Sequence, residues 1–219
     1  MIRADEKTVK GGTWSKAMKI YDISQEVFSC SVYPGDPAPK REVLCSMAQG
    51  DLYDLTAFSM CAHNGTHLDA PAHFIKGGKR IEELALEKTV GCCFVAEHRG
   101  DLLKKDAEDI LLRAKEAKNG AEKRILIKGD ATVTEQAAEV FAAAEIFLLG
   151  NESQTVGPED APMATHLILL SKEVLLLEGL RLAGVSEGAY MLFSPPLHLG
   201  GAEGAPCRAL LVAMEENEA

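Results

Sequence analysis

Half of the chain's six histidines fall within eleven residues, at His63, His67 and His73, and Asp69 lies among them. Imidazole nitrogens and a carboxylate are donors for zinc and other divalent cations. The same groups carry protons in hydrolytic reactions. The run HNGTHLDAPAHF, residues 63–74, therefore reads as a metal-binding or catalytic segment. A lone histidine is most often an ordinary surface or hydrogen-bonded residue, but three beside an aspartate at this density call for chemistry.

The spacing constrains the backbone. His63, His67, Asp69 and His73 stand at i, i+4, i+6 and i+10, so an extended strand would turn all four to one face. A straight strand cannot bring them to one ion, because four residues span roughly 13 Å and zinc ligands converge at about 2.0–2.2 Å from the metal. Gly65 supplies a residue free to bend. Gly65, Thr66 and Pro71 argue against an unbroken helix. The expected local structure is a strand ending near His63, a tight turn, and an irregular segment carrying Asp69 and His73.

Three ligands leave a coordination sphere incomplete, so other parts of the chain must contribute. His166 lies in an apolar helix expected over residues 162–171 and capped by Asp160; alone it reads as a histidine on a packed helix face. Glu178 ends the run VLLLE. A carboxylate closing four apolar residues is costly to bury unpaired, and a cation would satisfy it.

The elements that must hold these residues follow from patterning. KIYDIS, opening after Met18, reads as a first strand, with residues 1–17 an extension outside the fold and residues 18–219 one domain. Strands are expected over 41–47 and 52–62, the second leading directly into His63. Val90 to Glu97 is a continuous apolar run of the kind a strand buried on both faces shows. Asp106 is expected to cap a helix through Lys118, Arg124 to Lys128 forms a strand, and Thr132 with Glu135 makes a capping box for a helix to about Glu145. Ile146 to Leu149 is a further buried strand. Alternating strands and helices imply α/β architecture, a mixed β core flanked by helices.

A length of 219 residues suits one sizeable domain. A net charge of −10 argues against a nucleic-acid partner, since a phosphate backbone demands a basic face. No run of about 18 apolar residues is present, so no membrane span is expected, and the N-terminal residues do not read as a secretory signal. The six cysteines lack CxxC spacing and read as buried free thiols, which suits a reducing cytoplasmic setting.

The run HNGTHLDAPAHF resembles the His-x-Gly-Thr-His-x-Asp-x-Pro-x-His-Phe signature of the metal-dependent cyclase-like hydrolases, the family that includes bacterial kynurenine formamidase and isatin hydrolase. The loop Tyr33-Pro34-Gly35-Asp36-Pro37 resembles the family's Tyr/Trp-Pro-Gly-Asp-Pro loop. His166 and Glu178 stand twelve residues apart, as a downstream His and Glu do there, and Gly179 and Leu180 follow. The tail PPLHLGGAEGAPCRALL resembles the family's closing run, which extends the correspondence from about Met18 to Val212.

The resemblance implies a swivelling β/β/α fold with His63, His67, Asp69, His166 and Glu178 as metal ligands. It implies His73 as the general acid/base and Tyr33 as a residue lining the substrate pocket. Such a ligand set suits two divalent ions, two Zn²⁺ per subunit or Mn²⁺ in their place. The implied reaction is hydrolysis of a small amide, an N-formyl arylamine such as N-formylkynurenine. Cyclic amide or isatin-type hydrolysis and non-catalytic ligand binding are the alternatives. A small-molecule substrate and a homodimer or homotetramer are expected by the same resemblance.

Overall fold

The structure is a computed structural model that describes residues 19–117 and 119–213. The expected extension at residues 1–17 and the expected helix end at Lys118 lie outside the described residues. The first half holds β1 (Ile20–Asp22), β2 (Lys40–Cys45), β3 (Leu55–Ser59), β4 (His67–Asp69), β5 (Val90–Glu97) and β6 (Gly100–Leu102). Then come α1 (Lys104–Glu116), β7 (Arg124–Lys128), β8 (Ala131–Val133), α2 (Glu135–Ala143) and β9 (Leu148–Asn151). The chain continues through α3 (Met163–Leu170), β10 (Leu175–Glu178), β11 (Gly188–Phe193), β12 (Gly204–Pro206) and β13 (Leu210–Ala213).

Nine of these strands form one mixed sheet in the order β1-β13-β11-β5-β7-β9-β10-β4-β12. Its centre, β5-β7-β9-β10, is parallel, and antiparallel strands extend it on both sides. Parallel strands joined by crossover helices are buried on both faces, which is why the central strands read as apolar runs.

Alternation sorts the side chains into two cores. Phe94, Ala96, Ile125, Ile127 and Leu176 face the three helices, where Ile110, Phe141 and Leu169 meet them. Cys93, Val95, Leu126, Leu175 and Leu177 point to the other face. That second core also holds Leu68 and Ala205 from one wing of the sheet and Leu192 and Leu211 from the other. The sheet is curled, because both wings feed one apolar cluster. Outside it, β2 and β3 pair as a separate hairpin.

Several local expectations shift. Asp69 sits on a strand rather than in an irregular segment, because three-residue β4 is paired on one side by β10 and on the other by β12. The preceding strand stops at Ser59, short of His63. Asp106 is not the cap of α1 but its third residue; its Oδ2 accepts the Leu103 N–H at 2.9 Å. Thr132 lies in β8, and Thr134 caps α2 by accepting the Ala137 N–H. Asp160 does not cap α3, whose entry is set by Pro162 at φ −71°.

Candidate metal and catalytic site

The site is built where β10 and β4 run side by side. Their register sets Glu178 opposite His67, Leu177 opposite Leu68 and Leu176 opposite Asp69. Leu68 and Leu177 fill the inner apolar core, so His67, Asp69 and Glu178 turn to the other face, the one Leu176 shares with the helices. α3 crosses that face and delivers His166. Short strands thus place three donors and a helix supplies the fourth.

The turn before β4 supplies the next. Asn64 is buried, and its Oδ1 accepts the Cys61 N–H at 2.8 Å. Gly65 takes φ +63°, where a side chain would press on Cys30, and its N–H donates to Ser31 O. The reversal brings His63 back over Asp69, with His63 Nδ1 2.8 Å from Asp69 Oδ1. After β4, a single 3₁₀ turn over Pro71–His73 swings His73 to the same place. Its ring stacks on His63 with centroids 4.0 Å apart, and Phe74 lies 4.7 Å from His166.

The structure brings His63, His67, Asp69, His73, His166 and Glu178 together. His67 Nε2 lies 3.4 Å from both Asp69 Oδ1 and Glu178 Oε2. His166 Nε2 lies 3.6 Å from Asp69 Oδ2 and 3.3 Å from Glu178 Oε1. Donor atoms within 4.8 Å of one another form three triads among the described residues: His63/His67/Asp69 and Asp69/His166/Glu178, which share Asp69, and a less buried His63/His73/Glu203. His67 Nδ1 donates to Gly65 O at 3.0 Å and His166 Nδ1 to Pro162 O at 2.8 Å. Each bond turns Nε2 inward as the nitrogen left to ligate a cation.

The electrostatics are those of a cage for positive charge. Burial opposes ionised imidazole at His67 and His166, yet Asp69 and Glu178 push both up to about 10. Burial likewise opposes ionisation of Asp69, but the rings of His166, His63 and His67 hold it well below the usual carboxylate range. Burial pushes His73 down, and His63 and His166 push the same way against the pull of Asp69. Protonation of His73 is thus disfavoured beside a cluster that attracts cations. Asp69 Oδ2 is buried without a hydrogen-bond partner, an oxygen that a cation would satisfy.

A cavity of about 470 Å³ opens onto these residues, walled by Tyr33, Phe74, Pro162 and Ala62. The Tyr33 hydroxyl donates to Glu159 O at 2.8 Å, which fixes the ring. Two acidic residues on the cavity were not singled out from sequence, Asp36 and Glu203. Glu203 sits in the tail run GAEGAP, just ahead of the Gly204-Ala205-Pro206 that resembles the family's closing run.

A kynurenine formamidase from Erythrobacter litoralis is 29% identical over 91% of this chain and 96% of its own length. The solved structure of a predicted metal-dependent hydrolase from Bacillus stearothermophilus superposes with a TM-score of 0.75 at 29% identity, covering 90% of this chain and 99% of that one. Isatin hydrolase A from Ralstonia solanacearum, at 20% identity, shares the fold with a TM-score of 0.75 over 90% of this chain and 92% of its own. The profile of the family described as "Putative cyclase" matches residues 21–157, which include the whole first histidine cluster. This chain belongs to the cyclase family.

Proposed function

We propose that the protein is a metal-dependent amidohydrolase of the arylformamidase type, cleaving the C–N bond of an N-formyl arylamine such as N-formylkynurenine to give formate and the free amine. The observation that carries the reading is the convergence of His63, His67, His73, His166 and Glu178 from separate segments on one cavity, around the buried Asp69, in a chain 29% identical to a kynurenine formamidase. His63, His67 and Asp69 would hold one divalent ion, and Asp69, His166 and Glu178 a second. Mixed imidazole and carboxylate donors suit Zn²⁺, and Mn²⁺ is compatible. Such ions supply Lewis acidity, lowering the pKa of water towards about 7 and polarising a carbonyl.

The chain's own residues do the rest. A ring nitrogen of His73, whose protonation burial disfavours, takes a proton from the attacking water. The same nitrogen returns it to the departing amine as the C–N bond breaks, so the ring ends as it began. Tyr33 and Phe74 give an aromatic substrate two flat walls. Asp36 on the rim offers a negative partner for the ammonium of an amino-acid substrate.

The working form is a homodimer or homotetramer. The β2–β3 hairpin supports this, since Val43, Leu44 and Phe58 are more than half exposed there, and an apolar hairpin seeks cover. The cytoplasm is the working place, in keeping with free thiols at Cys30, Cys45, Cys61, Cys93 and Cys207. Among the described residues, no helix is long and apolar enough to cross a membrane.

The test is turnover of N-formylkynurenine by purified protein loaded with Zn²⁺ or Mn²⁺, beside isatin and cyclic imides. The formamide is expected to give the highest kcat/KM. Hydrolysis of isatin with the formamide untouched would move the reading to cyclic amides, and binding without turnover would make the protein a ligand carrier.

A further inference from the structure

The tail run GAEGAP reaches the site from the side opposite β10. β12 pairs with β4, setting Gly204 opposite Asp69 and Pro206 opposite His67, and Glu203 O accepts the Ala70 N–H at 2.9 Å. A side chain at 204 would point to the face Asp69 uses, and its Cβ would lie 2.6 Å from His63 Cε1. Glycine there leaves room for the His63 ring to lie against the strand. The residue just before it, Glu203, places Oε1 3.2 Å from His63 Nε2.

The three histidines around Asp69 are held in two different ways. His67 and His166 donate Nδ1–H to backbone carbonyls and present Nε2 inward. His63 is reversed: Nδ1 faces Asp69 Oδ1 at 2.8 Å, and Nε2 faces the Glu203 carboxylate. A neutral imidazole has one N–H and one lone pair. The group that accepts the N–H decides which nitrogen is left to ligate.

We propose that Glu203 is a positioning residue of the metal site, accepting the Nε2–H of His63 so that Nδ1 carries the lone pair toward the cation. A carboxylate just ahead of β12, far along the chain, does for His63 what backbone carbonyls do for the other two rings. It also makes that ring a stronger donor. The inference rests on the reading of His63 as a metal ligand.

Zinc affinity, measured by competition with a chromogenic chelator, tests it in the parent protein, Glu203→Ala, Glu203→Gln and, as a control, His73→Ala. Glu203→Ala is expected to loosen zinc roughly 10- to 100-fold. Glu203→Gln, whose side-chain carbonyl still accepts the N–H, should keep most of the affinity, and His73→Ala all of it. Long-range ¹H–¹⁵N NMR of the zinc-loaded parent, which needs no variant to fold, should report His63 as the Nε2–H tautomer. An Nδ1–H tautomer at His63, or a Glu203→Ala protein that binds zinc as tightly as the parent, overturns the proposal while leaving the metal reading intact. A parent that takes up no zinc removes the metal reading and this inference with it.

Discussion

Glu178 is 2% exposed at the end of a leucine strand, and burying a bare carboxylate costs several kcal/mol. Its oxygens are met by the Val156 N–H at 2.9 Å and by the rings of His67 and His166. Removing it should do more harm to ion binding than to any single hydrogen bond. Glu178→Ala is expected to lower the zinc content of purified protein, read by elemental analysis, and to abolish turnover with it. His73→Ala should behave differently, because that ring is in neither of the triads that share Asp69. It is expected to lose about 10²- to 10⁴-fold in kcat while zinc content stays at the parental level. Loss of both together in His73→Ala would place that ring among the ligands.

Segments only a few residues long position this site, so their junctions matter. Gly179 follows Glu178 at φ +70°, and a Cβ there would collide with Gly65 O and the Gln154 side chain. Its carbonyl accepts from Gln25 Nε2 at 2.8 Å and from Thr66 Oγ1 at 2.7 Å. The end of β10 is thereby tied to the turn that carries His63. Gly179→Ala is expected to destabilise the fold by roughly 2 kcal/mol or more, through strain at positive φ and the clash, read as a lower denaturant midpoint. The helix layer offers a comparison remote from the chemistry. Phe141 of α2 is fully buried against the sheet, and Phe141→Ala should cost about 3–5 kcal/mol with zinc stoichiometry unchanged in the folded fraction.

Ion binding and assembly concern the protein as a unit. Ligands that bind only the folded state stabilise it by mass action, and the cage joins β4, β10 and α3. Stripping zinc with a chelator should therefore lower Tm, and adding Zn²⁺ back should restore it. An unchanged Tm on chelation would mean that the cluster holds no ion of consequence. The hairpin makes a separate prediction. Phe58→Asp together with Val43→Asp, both on exposed positions of β2–β3, should shift sedimentation toward the monomer; a parent that sediments as a monomer would end the proposal of a homo-oligomer.

The residue types and order of the first histidine cluster were enough to expect metal chemistry, and the apolar runs at Val90–Glu97 and Ile146–Leu149 were enough to expect buried strands. Those are local signals, since donor chemistry and the period of burial are written in neighbouring residues. Helix starts were read two or three residues astray at Asp106 and Thr132, because several polar residues in a row compete for each cap and tertiary contacts choose among them. The pairing of β4 with β10 on one side and β12 on the other was hidden, since register joins segments more than a hundred residues apart and leaves no local mark. That pairing alone set Glu178 opposite His67, drew Glu203 against His63, and turned a list of donors into a cage.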